Sequence, residues 1–364
     1  MNITGYVKKF GEYSLHEKPF NHVDALIMAQ LTYLNWDMFV DKYHKQIHIK
    51  EVAGSKIKKL SAGEFDAKPS EKLFAAMQKS KRFANTRIRF VKNVLDHKTS
   101  EQFFAITITL PNGLDVIAFR GTDLSLSGWK EDAKISFMEQ VPSQKTAVKY
   151  VNDVLSQIKG AFYLVGHSKG GNLAYYSAMY MKNEYRRRLV KSYSFDGPGF
   201  YNQKILETRE YASAAKKFVK IVPKESFVGV FLNRKETPLI VDSTYINVFQ
   251  HDPFSWKITN EGDFKYMKKR TYVSRVAEQT LENFLAKVNE EERRDTTDAL
   301  FMLLGKPEGY LTDIPKNIPG TIKNFVTTYF HFDKERQKTL IKRLIQLFTA
   351  ILKAVIKPRK NSDV

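Results

Sequence analysis

Cysteine is absent from the 364 residues, which excludes disulfides, thiolate metal sites and a cysteine nucleophile while leaving the compartment open. No apolar run approaches the roughly twenty residues that span a bilayer. The first residues carry Lys8 and Lys9 with no apolar stretch behind them, so no secretory signal is expected. These absences point to a cytoplasmic protein, with peripheral membrane contact left open. Acidic residues are also scarce: 39 Asp and Glu face 59 Lys and Arg, a formal net charge of +20. Such a balance favours polyanionic neighbours, meaning nucleic acid, an anionic membrane surface or acidic substrates, although excess lysine also serves solubility. No nucleic-acid-binding motif accompanies the charge, and no nucleic-acid partner is expected. What remains is ordinary for a folded chain, 43% hydrophobic and 27% charged, long enough for one large α/β domain with additions or for two domains.

In residues 20–40, Val23, Leu26, Ile27, Leu31, Leu34 and Met38 recur at helical spacing behind an Asn21 cap, predicting an amphipathic helix. His16 and His22 flank it. His44 and His48 lie one helical turn apart without further ligands nearby, so they read as surface histidines and not as a metal pair. Residues 68–83 predict another helix. Residues 102–110 and 114–119 alternate and are β-branched or aromatic around Pro111-Asn112-Gly113, which predicts a hairpin ending in Arg120-Gly121-Thr122-Asp123. A helix over 143–158 with a Ser143 cap, strands at 189–195 and 218–222 and a helix to about 215 follow. Residues 239–241 and 245–249 are short strand candidates. Strands alternating with helices imply a mostly parallel sheet covered on both faces. Helices are expected over 273–288 and 296–304, and Pro307, Pro315 and Pro319 mark 305–320 as a hinge. Beyond it, Leu340, Ile341, Leu344, Ile345, Phe348, Ile351, Leu352, Val355 and Ile356 form one stripe with lysines and arginines off its centre. Such a basic amphipathic segment, 335–358, suits an anionic membrane surface, and equally its own core or another subunit. The resulting division is an N-terminal helical region (1–95), an α/β core (96–260) and a helical extension (261–364). Oligomeric state is not legible.

The chemistry concentrates in Ala161-Phe162-Tyr163-Leu164-Val165-Gly166-His167-Ser168-Lys169-Gly170-Gly171-Asn172, a short buried strand, a glycine-framed turn and a helix start. This is the G-x-S-x-G elbow, in which glycines let strand and helix close around a serine held in a strained backbone conformation. The alternative is a tight turn without chemistry. If Ser168 is a nucleophile, it needs a base and an acid to orient that base. Only His251 and His331 follow it, and His251, on a loop just after the last strand candidates, is the better placed. Three acids qualify. Asp196 is favoured because it follows the next strand and opens a Gly-Pro-Gly loop, while Asp242 and Glu225 remain alternatives; Asp252 is adjacent to His251 and points away from it on extended backbone. An oxyanion needs positioned donors: the Lys169 N–H at the helix start supplies one, and Thr122 fits as the second. The Lys169 side chain is expected in solvent. This chemistry calls for no metal and no organic cofactor.

Phe119-Arg120-Gly121-Thr122, then Trp129 and Asp132, then Gly166-His167-Ser168-Lys169-Gly170-Gly171-Asn172-Leu173-Ala174 together resemble a bacterial branch of the class 3 lipases, in the α/β-hydrolase superfamily. The resemblance covers roughly residues 103–256. It implies an α/β-hydrolase fold with a mostly parallel sheet and helical additions at both ends. It also implies an acyl-ester hydrolase, with Thr122 in the oxyanion hole, Ser168 as nucleophile and His251 as base. One position departs from the family's pattern. The acid usually follows the later strand in an Asp-x-Val-Pro context, whereas Lys220-Ile221-Val222-Pro223-Lys224-Glu225-Ser226 holds Ser226 there. Asp196 or Glu225 then supplies the acid, or the triad is degraded and the fold serves as a membrane-associated scaffold.

Overall fold

The computed structural model of the chain describes residues 1–39, 46–56, 67–123 and 125–304, with scattered positions between 327 and 343. It begins with helices α1 (Ile3–Phe10) and α2 (His22–Gln30), edge strand β1 (Gln46–His48) and α3 (Ala67–Gln78). Strands β2 (Arg87–Asp96), β3 (Glu101–Thr109) and β4 (Asp115–Phe119) follow, then α4 (Leu126–Lys134) and α5 (Pro142–Leu155). The centre of the chain runs β5 (Phe162–His167), α6 (Lys169–Tyr180), β6 (Leu189–Phe195), α7 (Arg209–Ala215) and β7 (Phe218–Pro223). The last described elements are β8 (Leu239–Val241), β9 (Tyr266–Met267), α8 (Tyr272–Ala286) and α9 (Glu290–Leu304).

The strands form one sheet in sequential order. Strands β4 to β8 pair in parallel. Strands β1 to β4 pair antiparallel, as do β8 and β9. The sheet is therefore mixed, and not mostly parallel as the alternating pattern suggested. The parallel part is the centre; the antiparallel flanks come from the expected β3–β4 hairpin and from β1, β2 and β9, whose short or charged sequences carry weak strand signals. Residues of β3 and β4 alternate between two cores, as the two-residue period of a strand requires. Phe103, Ala105, Ile117 and Phe119 pack with Val151, Val154, Leu173 and Ala174 of α5 and α6. Phe104, Ile106, Ile108, Val116 and Ala118 pack with Ile3, Val7, Leu26, Ile27 and Phe74 of α1, α2 and α3. Burial on both faces explains why these strands are apolar almost throughout.

The N-terminal helices are locked by a charged pair. Asn21 caps α2, its Oδ1 accepting from the N–H groups of Val23 (2.9 Å) and Asp24 (3.0 Å), and its own N–H donates to the Asp24 carboxylate (3.0 Å). Asp24 also receives Tyr6 Oη (3.1 Å) and the guanidinium of Arg82, which donates further to the carbonyl of Lys18 (2.8 Å). Both members of the pair are buried. Helix α2 stops at Gln30, short of the predicted residue 40, and two 3-10 turns follow. Side chains compete for the carbonyls there: Trp36 Nε1 donates to Leu31 O (2.7 Å), and buried Arg120 donates to Thr32 O and to Leu34 O (3.0 Å).

Three other expectations change. Helix α5 starts with Pro142 at its first position and is capped at Val141, not Ser143, whose N–H instead donates to Glu131 (2.9 Å). Residues 245–249 form no strand, because the free edge of β8 is taken by β9. Helix α9 begins at Glu290, ahead of the predicted residue 296, behind a reciprocal Asn289–Glu292 cap. The proposed hinge at 305–320, His44, His331 and most of segment 335–358, including everything beyond residue 343, lie outside the described residues. Among the described residues, no helix is long and apolar enough to cross a membrane, and no group of three or more His, Asp or Glu side chains could hold a metal ion.

Removing one member of a buried ion pair strands the other, at a cost of about 3–5 kcal/mol. Asp24→Ala is expected to destabilise the protein by that amount, read as a lower midpoint in urea unfolding.

Candidate active site

Ser168 sits between β5 and α6 with φ 56° and ψ −133°, a strained conformation for a residue with a side chain. The flanking glycines permit it by close approach: a Cβ on Gly166 would lie 2.0 Å from Gly170 O, and one on Gly170 would lie 2.2 Å from Phe119 O. Parallel register then gathers the site. His167 pairs with Phe195, so Ser168 and Asp196 are the next residues off the carboxyl ends of adjacent strands. On the other side Phe119 pairs with Gly166, which brings the Arg120-Gly121-Thr122 turn alongside. A Cβ on Gly121 would fall 3.0 Å from Ser168 Cβ and 2.4 Å from Tyr33 Oη.

His251 ends a 3-10 turn (Asn247–His251), and its Nδ1 lies 2.7 Å from Asp196 Oδ2. Asp196 is wholly buried and has a positive φ of 46°. Its other oxygen accepts from Ser226 Oγ (2.5 Å) and from the Gly229 N–H (3.1 Å). Burial opposes ionisation of Asp196, yet the hydrogen bond and charge of His251, with Ser226, hold its carboxyl below the usual value. Ser226, standing where the family pattern has its acid, therefore donates to an acid placed one strand earlier. The other two acids are engaged elsewhere. Asp242 binds Lys224 (2.7 Å), Lys257 (2.9 Å) and Lys265 (3.3 Å). Glu225 accepts from the Asn247 N–H (2.6 Å) and from Gln250 Nε2 (2.9 Å), fastening the turn that carries His251.

Thr122 Oγ1 donates to Asp132, whose second carboxylate oxygen is buried without a partner among the described residues. Burial raises the Asp132 carboxyl to about 6, against the pull of Lys169. Lys169 opens α6, where first-turn N–H groups have no intrahelical acceptor. Its side chain is not in solvent: Nζ is buried against Glu131 (2.9 Å), Gln102 O (2.8 Å) and Gln102 Oε1 (2.7 Å). Glu131 in turn accepts the N–H groups of Gln102 (3.1 Å) and Ser143 (2.9 Å), so one carboxylate ties β3, α4, α5 and α6 together beside the elbow.

Several residues of the site carry no local sequence signal. His167 is buried with Nε2 2.9 Å from His251 O and Nδ1 2.9 Å from Tyr33 Oη. A carbonyl can only accept, so Nε2 bears the hydrogen and the Tyr33 hydroxyl donates to Nδ1. Rings of His167 and His251 lie 4.5 Å apart. Buried Lys220 donates to Gly197 O (2.6 Å) under the Asp196 loop, and burial lowers its ammonium to about 8. Tyr33 lies more than a hundred residues from its partner, and a lysine inside an apolar strand is the single feature that could have flagged Lys220.

The fold and family comparison define the class: a lipase-like α/β hydrolase. The family model described as Mbeg1-like matches residues 77–302, well over half of the chain, and the chain belongs to that family. The match reaches beyond Trp256 to take in α8 and most of α9. Among solved structures, the M37 lipase crystal structure is similar at 16% identity with a TM-score of 0.36, covering 59% of this chain and 70% of that one. No curated protein matches.

Burial, with the neighbouring His251 charge, lowers the imidazole of His167 to about 3. The unfolded chain therefore binds a proton below about pH 6.5 that the folded protein refuses down to about 3, so this group's contribution to stability falls across that window by about 1.4 kcal/mol per pH unit. Urea unfolding of His167→Asn at pH 7 and pH 5 should show a shallower acid loss than the wild type.

Proposed function

We propose that the protein is a serine ester hydrolase acting on acyl lipids or related esters. The observation that carries this reading is the 2.7 Å contact between His251 Nδ1 and buried Asp196, at the sheet edge shared with the strained Ser168. Ser168 Oγ attacks the acyl carbon while His251, its Nδ1–H held by Asp196, takes the hydroxyl proton on Nε2. The imidazolium that forms is stabilised by the adjacent carboxylate. It returns the proton to the leaving alcohol, and water then releases the acyl group by the same path in reverse. With the Thr122 hydroxyl proton committed to Asp132, the donors to the oxyanion are the N–H groups of Thr122 and Lys169. Positively charged Lys169, paired with Glu131, fixes the helix start that presents its own N–H. The proposed location is the cytoplasm, with the basic segment 335–358 as the candidate contact for an anionic membrane surface.

Hydrolysis of p-nitrophenyl esters of increasing chain length tests the reading. Ser168→Ala and His251→Ala are each expected to lower kcat/KM by about six orders of magnitude, and Asp196→Asn by roughly four. Asp242→Asn should leave it within a few fold, and Thr122→Val should cost less than the roughly 10²–10³-fold of a lost oxyanion donor. A wild type that turns over none of the series and resists a fluorophosphonate probe would favour the scaffold reading.

A further inference from the structure

The turn that carries His251 has an unusual outer face. Within five consecutive residues, Tyr245 (49% exposed), Ile246 (58%), Val248 (49%) and Phe249 (68%) hold their side chains in solvent. Exposing four large apolar side chains within five residues is costly unless something covers them. The exposure is not a consequence of looseness, because the base of the turn is fastened. Glu225 holds the N–H of Asn247 and the amide of Gln250, whose carbonyl accepts from buried Trp256 Nε1 (2.8 Å), and Thr244 N–H donates to Ser255 O (2.9 Å). Asn247 takes a positive φ of 54°, turning the chain at the tip.

Lysines gather on the segments that hold the base of this tip. Asp242, three residues before Tyr245, is met by the ammonium groups of Lys224, Lys257 and Lys265, so one carboxylate faces three cations and the cluster keeps a net positive charge. Lys268 and Lys269, just past β9, are exposed. An apolar tip of aromatic and branched side chains with a lysine cluster at its base matches the layering of an anionic bilayer, with hydrocarbon inside and negative headgroups outside.

We propose that residues 244–249 are a docking loop that enters an anionic lipid surface, with Phe249 and Ile246 in the acyl region and Lys257 and Lys265 at the headgroups. Only Gln250 separates Phe249 from His251, so docking sets the base of the candidate triad at the lipid surface. That last consequence rests on the ester-hydrolase reading; the docking itself does not.

The test is co-sedimentation of the full chain with phosphatidylcholine vesicles made with and without phosphatidylglycerol, using Ser168→Ala so that no turnover alters the lipid. Binding is expected to the anionic vesicles only. Ile246→Ser/Phe249→Ser should weaken it at least about tenfold, Lys257→Gln and Lys265→Gln about fivefold each, and Phe249→Trp should retain it. Equal binding by the serine double variant, as when segment 335–358 carries the whole attachment, overturns the proposal. So does absence of binding, or self-association through the loop without lipid. Turnover of a soluble p-nitrophenyl ester by the wild type is scored separately: intact turnover with loop-independent binding sinks the docking alone, and loop-dependent binding without turnover sinks the hydrolase reading alone.

Discussion

The site depends on one steric constraint, the close approach of the start of helix α6 to strand β5 at Gly166 and to strand β4 at Gly170. No side chain fits where these backbones touch, and a Cβ on either glycine would lie within 2.2 Å of a carbonyl oxygen. That closeness forces Ser168 into its strained conformation and points the start of α6 at the same space. The cost of holding it there is met by the packing on both sides, where Leu164, Leu173 and Ala174 join one core and Val165 the other. Everything functional is then placed by register. Strands β4, β5 and β6 end side by side, so three turns far apart in sequence meet above the sheet.

Around this edge the protein keeps several ionisable groups out of water, each for a different purpose. Lys169 and Glu131 are paired and fully hydrogen-bonded, which makes them a rigid strut. His167 is kept neutral and serves as a fixed donor to the His251 backbone. Asp196 stays charged in spite of burial because His251, Ser226 and Gly229 all donate to it. In a medium of low dielectric these arrangements resist rearrangement, because each lost partner would leave a buried polar group unmatched.

The N-terminal region belongs to this architecture as much as the motifs do. Helices α1 and α2 share a core with the sheet, and the turn after α2 delivers Tyr33 to His167 and two carbonyls to Arg120. Arg120 stacks on Phe104 with 3.6 Å between guanidinium and ring, so the residue before the Gly121-Thr122 turn is held from both sides. At the opposite end, Ser274 of α8 donates to Ser226 O (2.6 Å), linking the C-terminal helices to the support of Asp196.

The G-x-S-x-G elbow, the hairpin of β3 and β4 and the cap at Asn21 were legible because each is a local event: glycines, a turn tripeptide or a short polar side chain dictate backbone geometry within a few residues. The candidate nucleophile followed from that. Strand β2 and the early end of α2 were not legible, since pairing with distant strands and the capture of carbonyls by Arg120 decide them. The sequence favoured Asp196 but left Asp242 and Glu225 open, for all three lie between Ser168 and His251 and only their surroundings in space separate them. By itself the sequence determined that an elbow forms, what stands at its tip, and that charge is in excess. Only the tertiary structure decided which acid meets His251, that Lys169 is buried and that the Tyr245 turn is exposed, because each depends on contacts between segments that sequence spacing does not relate.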